Sequence, residues 1–410
     1  MIVLFTWEKT MKIIKRERYL NELLSYKNKP EIKIITGVRR SGKSMLLNEY
    51  IKILQDDEKD ANIIRVNFSR IEFDSIKEYK KLNDYIWTNY KRDVKNYVFI
   101  DEVQLCDKFE IAINDIYESR AFDIYITGSN AFLLSSDLVT LFTGRYFEIQ
   151  VLPFSFKEFL QYYEYSNIDE AFDKYTLEGG FSGSYLYDLE NQKYSYITNV
   201  LDVVILKDIM IKNSVSDKVA MENIVMFLLD NISNITSPYR IANTLKNDGV
   251  SIDHKTVGNY LSYLIEGFVF YKIKRFDIRG NNYLKTHEKY YLVDHGFRFA
   301  KLGKRYFDYG RLYENIVAIE LLRRGYDLYV GKLYEKEIDF VAMKGSEKLY
   351  IQVADNIAQD ETRERELQAL RKIKDFYPRV LIANTGHDYY DVDGIKIYDI
   401  ARWLLEKNNN

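Results

Sequence analysis

Short apolar runs separated by amphipathic stretches organise the first 155 residues. Five runs read as strands: Ile32-Lys33-Ile34-Ile35-Thr36, Ile63-Ile64-Arg65-Val66-Asn67-Phe68, Tyr97-Val98-Phe99-Ile100-Asp101, Ile124-Tyr125-Ile126-Thr127-Gly128, and Tyr146 to Leu152. Between the first two, Ser44 to Leu54 carries Met45, Leu46, Leu47, Ile51 and Leu54 at helical spacing. Apolar runs this short, alternating with helices, predict a buried, mainly parallel sheet covered on both faces.

From Phe156 to about Asn213 the pattern is helical, with an interruption at Gly179-Gly180. Residues 220 to 285 read as three helices and a hairpin. Ser237-Pro238-Tyr239-Arg240 starts one helix with proline in its first turn. Ser251 to Lys255 forms a turn, and Thr256 to Glu266 a second helix that Gly267 ends. Phe268 to Lys274 and Asn282 to Lys285 are the expected arms of a wing, which completes a winged helix-turn-helix outline. Beyond it, helices at Leu312–Arg324 and Glu361–Lys374 and strands at Asp327–Val330, Glu337–Met343, Leu349–Val353 and Arg379–Ala383 predict a second α/β region. The expected division is 12–155, an α/β domain; 156–215, a helical connector or lid; 216–285, the winged helix; and 286–410, the C-terminal α/β domain.

Composition narrows the function classes. At 410 residues the chain exceeds one compact core. The net charge of −2 gives no global basic field for nucleic acid, although a local basic face is compatible with it. One cysteine, Cys106, excludes a disulfide framework and a cysteine-based zinc site, and four scattered histidines argue against a histidine metal centre. A cytoplasmic protein is expected. No stretch approaches the roughly 18 uninterrupted apolar residues of a membrane span. The 36 tyrosines read as a base-composition bias.

The chemistry-bearing pattern lies between the first strand and the first long helix. Gly37-Val38-Arg39-Arg40-Ser41-Gly42-Lys43-Ser44 matches G-x-x-x-x-G-K-[ST]. Glycines let backbone N–H groups face a phosphate, and the following helix adds its positive end. Lys43 is then the residue for the β- and γ-phosphates of ATP, and Ser44 a ligand of Mg2+. Asp101-Glu102 ends an apolar strand, so Asp101 can join the Mg2+ shell and Glu102 can polarise the attacking water. Ser129 and Asn130, after a further strand end, are candidates for sensing the γ-phosphate; a turn capping the next helix is the plain alternative. Arg145 is a candidate for reading the γ-phosphate, on a neighbouring subunit if copies assemble, and a surface arginine otherwise.

These motifs together resemble a prokaryotic AAA-type P-loop ATPase family. The resemblance is carried by Lys15-Arg16-Glu17-Arg18-Tyr19-Leu20, Ile35 to Ser44, Asp101-Glu102-Val103-Gln104, Thr127-Gly128-Ser129-Asn130, Gly144-Arg145 and Leu152-Pro153-Phe154-Ser155-Phe156-Lys157-Glu158-Phe159. It runs from Lys12 to the end of the chain. It implies a P-loop NTPase core with Asp101-Glu102 as the Walker B pair. It also implies a C-terminal domain similar to the PD-(D/E)xK, restriction-endonuclease-like fold. One departure is Ser182 after Gly179-Gly180-Phe181, where the family carries proline.

A nuclease of that fold needs an acid on a helix, an acid on a strand, and E/Q-x-K on the next. Glu314, Asp339 and Gln352 fit the first three places; Ala354 stands where the lysine belongs. The missing cation argues against cleavage and for a degenerate domain used in binding. Arg240, Lys246, His254 and Lys255, with Lys272, Lys274, Arg275 and Arg279 on the hairpin, are the candidates for DNA contact. The expected function is a Mg2+-dependent ATPase acting as a conformational switch on nucleic acid or a partner protein. The alternative is an ATP-regulated DNA-binding regulator or nuclease. The sequence leaves the oligomeric state open, a homo-oligomer included.

Overall fold

The computed structural model describes residues 12–128, 142, 144–304 and 308–406, without the side chains of 285–287. The chain forms two compact units: Lys12–Pro153 with Glu266–Phe268, and Phe154–Ile265 with Val269 onward.

In the first unit, five strands form one sheet: β1 Ile32–Thr36, β2 Asn62–Asn67, β3 Asn96–Asp101, β4 Phe122–Thr127 and β5 Tyr146–Gln150, in the order β2-β3-β4-β1-β5. Every pairing is parallel. Among the described residues the helices are α1 Glu17–Ser25, α2 Lys43–Asp57, α3 Tyr79–Thr88 and α4 Phe109–Glu118. Strand alternation sorts the core into two layers. Ile34, Val66, Val98, Ile100 and Ile126 pack with Phe109 and Ile113 of α4. Ile35, Phe99 and Tyr125 pack with Leu20 and Leu23 of α1 and Leu46, Leu47 and Tyr50 of α2. Each buried branched side chain contributes about 1.5–3 kcal/mol. Covering both faces is what makes the strands read as continuous apolar runs. Because all five run the same way, the ends of β1, β2, β3 and β4 meet along one edge of the sheet.

The second unit begins with helices Phe156–Tyr163, Ile168–Glu178 and Glu190–Val203, the last continued by a π-helical stretch, Val204–Ile211. Ser155 and Glu158 close a capping box on the first, and Asn167 caps the second. The interruption at Gly179-Gly180 has a local cause. Gly179 has φ +70°, and a Cβ there would lie 2.1 Å from Asp294 Oδ1. The buried Asp294 accepts the backbone N–H groups of Gly180 at 2.6 Å and Gly296 at 2.9 Å. Burial pushes its carboxyl up to about 7, against the two N–H groups and Arg323, which lower it.

Helices Lys218–Asp230, Pro238–Asn247 and His254–Glu266 follow, close to the expected positions. The hairpin arms are longer than expected: β7 Phe270–Asp277 and β8 Asn282–Leu292. They are part of a larger sheet. With β6 Ile235–Thr236, β9 Asp327–Leu333, β10 Lys336–Lys344, β11 Glu347–Ala354, β12 Arg379–Ala383, β13 Tyr390–Val392 and β14 Ile395–Asp399, they form nine strands in the order β13-β14-β12-β11-β10-β9-β7-β8-β6. β7 pairs with β8 on one side and, in parallel, with β9 on the other. The hairpin therefore continues the C-terminal sheet, and the expected boundary between 285 and 286 falls inside β8. Helices Tyr309–Arg323 and Asp360–Arg371 pack against this sheet. Among the described residues no helix is long and apolar enough to cross a membrane.

Candidate nucleotide site

The loop from Gly37 to Ser44 leaves β1 and enters α2, as the sequence predicts. Gly37 is indispensable to its path: φ is +136°, and a Cβ would lie 2.2 Å from the carbonyl oxygen of Val151. Arg16, buried, fixes the loop from outside. Its guanidinium donates to the carbonyls of Ser41 and Leu152, each at 2.9 Å, and lies over the Tyr19 ring. Val38 is buried under the loop, whereas Arg40 is exposed, with φ +69°. Lys43 is buried and donates to the carbonyls of Gly37 at 2.9 Å and Val38 at 3.1 Å. The Ser41 hydroxyl is buried with no hydrogen-bond partner among the described residues. An orphaned hydroxyl beside a lysine that caps its own loop's carbonyls is a polar seat suited to phosphate oxygens.

The Asp101 carboxylate is held from three sides. Asp101 Oδ1 accepts the Ser44 hydroxyl at 3.1 Å and, in a short hydrogen bond, the Thr127 hydroxyl. Asp101 Oδ2 accepts the Asn67 amide at 3.1 Å. Asn67 pairs with Asp101 in the β2–β3 register, and Thr127 follows Ile126, which pairs with Ile100. The register therefore brings all three to one place. The Ser44–Asp101 spacing fits a shared metal, because neighbouring oxygens in a regular Mg2+ octahedron at about 2.1 Å lie about 3.0 Å apart.

Glu102 takes the left-handed conformation, φ +55° and ψ +47°, which disfavours non-glycine residues and recurs where function holds a side chain in place. Its N–H donates to the Thr127 hydroxyl at 3.1 Å, and its carboxylate accepts the Gln104 amide at 2.6 Å. Sequence reasoning missed Asn67, Thr127 and Arg16 as site residues. The only available signal for the first two was that each ends an apolar strand with a polar side chain.

Two other expectations have different outcomes. Ser129 and Asn130 lie outside the described residues. Arg145 stands just before β5, whose Tyr146 pairs with Ile32 at the start of β1. That is the sheet end opposite the loop, roughly 16 Å away along a five-residue strand. There Arg145 pairs with Glu118 and Asn114, each at 2.7 Å.

In the C-terminal sheet, a buried lysine that the sequence did not mark lies among acidic side chains. Lys289 on β8 is buried, and its ammonium lies 2.8 Å from Glu314, 2.6 Å from Glu337 and 3.9 Å from Asp339. Tyr291 donates to Glu314 at 2.6 Å, and Asp339 accepts the Val353 N–H at 2.8 Å. Gln352 bridges the Asp339 N–H and the Glu366 carboxylate. Lys289 thus places a cation among these carboxylates from β8, whereas Ala354 ends β11. Burial lowers the Lys289 pKa, but the surrounding carboxylates more than offset this and raise it. Burial and the charge of Glu314 push Asp339 well above the usual carboxylate range. Glu314 is raised by burial despite Lys289. Among the described residues no set of three metal-ligating side chains is arranged to hold an ion.

Comparison with known proteins agrees with the first unit. Residues 29–160 match the family model described as an AAA domain, and residues 169–307 match a domain of unknown function, DUF8612. An uncharacterised protein of Haemophilus influenzae is 40% identical over 400 residues, covering 96% of this chain and 99% of its own length. The uncharacterised protein MJ1544 of Methanocaldococcus jannaschii is 30% identical over 383 residues, covering 89% of this chain and 84% of its own. Among solved structures, the Walker-type ATPase PABY2304 of Pyrococcus abyssi aligns with a TM-score of 0.47 at 16% identity, over 70% of this chain and 95% of that one. The chain belongs to the same family as the Haemophilus and Methanocaldococcus proteins, and its first unit is an AAA-type P-loop domain.

Proposed function

We propose that this protein is a Mg2+-dependent ATPase whose nucleotide cycle switches the P-loop unit between two states that act on a partner protein or nucleic acid. The observation that carries the reading is the Ser44–Asp101 contact of 3.1 Å at the foot of a glycine-bounded loop, with Asp101 oriented by Asn67 and Thr127. Mg2+ held by Ser44 and Asp101 would offset charge on the β- and γ-phosphates. Lys43 would turn from the Gly37 and Val38 carbonyls to the phosphate oxygens. Glu102 accepts a hydrogen bond from the attacking water and takes its proton as the oxygen–γ-phosphorus bond forms and the bond to the bridging oxygen breaks. Loss of the γ-phosphate is the event that resets the switch. A γ-phosphate contact by Arg145 is reserved for a neighbouring copy, given its place at the far end of β5.

The test is ATP turnover and ATP binding measured side by side. Lys43→Ala should lose both, and Glu102→Gln should lose turnover while keeping binding. Unchanged hydrolysis in either variant defeats the assignment. A second reading, DNA contact by the segment 238–266, is favoured by exposed Arg240, Lys246 and Lys255. It requires binding to duplex DNA that weakens steeply with salt, and affinity indifferent to salt excludes it.

A further inference from the structure

We propose that Arg40 is a further catalytic residue: its guanidinium folds over the triphosphate from the crown of the loop and stabilises the charge that gathers on the oxygen bridging the β- and γ-phosphates. The inference rests on the ATPase reading above and adds a residue to it. Three observations converge on Arg40. Val38 to Ser41 form a turn, closed by the Ser41 N–H donating to the Val38 carbonyl at 3.2 Å. Arg40 stands third in that turn with φ +69°, a conformation that turns ordinarily give to glycine or asparagine, because a side chain there crowds the backbone. An arginine in that conformation costs the fold stability, and such costs persist where the side chain is used. The side chain is also exposed, and among the described residues it makes no hydrogen bond, ion pair or ring contact, so no such contact within the fold offsets the turn. Finally, from Gly37 to Asn48 the chain carries three cations and no acid. Of these, Lys43 is buried and turned onto the Gly37 and Val38 carbonyls, Arg39 is half-buried, and Arg40 is exposed.

α2 begins at Lys43, three residues beyond Arg40. A triphosphate seated against the N-terminal end of that helix would bring concentrated negative charge within reach of a long, flexible side chain. As the bond between the bridging oxygen and the γ-phosphorus breaks, its electron pair stays on the bridging oxygen, and the charge there rises. A guanidinium presents planar N–H donors that meet two phosphate oxygens at once. Its attraction is stronger for that developing charge than for bound ATP, so its effect falls on kcat. Within one copy of the chain, Arg40 would supply the cation that Arg145, at the opposite end of the sheet, does not.

The experiment compares the full chain carrying Arg40→Gly, Arg40→Ala and Arg40→Lys, with Lys43→Ala alongside. Two quantities are measured: ATP turnover, and the urea midpoint without nucleotide, read from Trp87 with Trp7 and Trp403 changed to Phe. Arg40→Gly and Arg40→Ala should lower kcat alike, by about 10- to 100-fold. Arg40→Lys, which keeps the charge but not the planar fork, should fall between them and wild type. Stability should move independently of turnover. Glycine relieves the left-handed turn and alanine does not, so the midpoint of Arg40→Gly should equal or exceed that of wild type and exceed that of Arg40→Ala. Wild-type turnover in Arg40→Gly and Arg40→Ala overturns the proposal. So does a lower midpoint in Arg40→Gly than in wild type, since the guanidinium would then serve the fold, or an Arg40→Lys variant as slow as Arg40→Gly. If Lys43→Ala still hydrolyses ATP normally, the ATPase reading itself fails. If Lys43→Ala is inactive and the Arg40 variants turn over normally, only the role of Arg40 is lost.

Discussion

Thr127→Val tests how the end of β4 supports the site. The Thr127 side chain is completely buried. Its hydroxyl donates to Asp101 and accepts the N–H of Glu102. Valine keeps the β-branched shape that suits a strand, so packing and strand propensity change little. What it removes is a hydrogen bond to a buried carboxylate, about 1.5–3 kcal/mol, and the partner of the Glu102 N–H, about 1–3 kcal/mol if no water reaches it. Asp101 retains Ser44 and Asn67 as donors, which places the first contribution at its lower end. The expected loss is about 2.5–4.5 kcal/mol. The chain has three tryptophans, and Trp87 on α3 lies in the P-loop unit. With Trp7 and Trp403 changed to Phe, the fluorescence of Trp87 follows this unit through urea unfolding. Thr127→Val should lower the midpoint and cut ATP turnover; Thr127→Ser, which keeps the hydroxyl, should do neither by much. If the midpoint of Thr127→Val equals that of the parent, the hydroxyl is not supporting the Asp101 carboxylate. If the Ser variant, which keeps the hydroxyl, loses as much stability as the Val variant, the hydrogen bonds do not by themselves set the stability here.

Three further outcomes are expected. Arg16→Met should raise the KM for ATP more than it lowers kcat, because the guanidinium holds the loop through the Ser41 and Leu152 carbonyls; an unchanged KM counts against that role. Asp294, raised from 3.8 to about 7, takes up a proton on folding, so its contribution to stability is complete below about pH 4 and is lost as pH rises to about 7. The stability difference between wild type and Asp294→Asn should therefore fall by up to roughly 4 kcal/mol over that window in urea titrations, and a flat difference refutes it. Lys289→Met should strongly destabilise the C-terminal sheet by leaving carboxylates without their cation, and adding Glu314→Gln should recover part of the loss; a double variant no more stable than Lys289→Met refutes the charge account.

The parts of the site that could be read from sequence are those written in consecutive residues. Gly37 to Ser44 and Asp101-Glu102 each carry their own local geometry, and the apolar strands before them fix the setting. The strands themselves emerge within a residue or two of the expected bounds, because burial on both faces leaves an uninterrupted apolar signal. Asn67 and Thr127 were not legible: they stand 34 and 26 residues from Asp101, and only the parallel register joins them. The same holds for Lys289, which is 25 residues from Glu314 and joins it across strand and helix. The hairpin arms were found, but not that the free edge of β7 is taken by β9, since strand pairing leaves no local trace. β13 was missed because Tyr390 and Asp391 are exposed and offer no apolar alternation.

The three donors to Asp101 differ in what they can give up. Asn67 and Thr127 sit on strand ends in a close-packed sheet, and their positions are fixed by register. Ser44 lies in the first turn of α2, and its hydroxyl can exchange a hydrogen bond for a metal bond by rotation about χ1 alone. On the reading proposed above, Mg2+ between Ser44 and Asp101 would cost one hydrogen bond, about 1–3 kcal/mol, while Asn67 and Thr127 would keep the carboxylate in place. Asp101 would then be ordered before the ion arrived, and nucleotide affinity would not be spent on ordering it. The link from Asp101 through Thr127 to the Glu102 backbone would persist through a nucleotide cycle. The aim of Glu102 relative to the metal would then be set by the sheet, and the cycle would act on the loop.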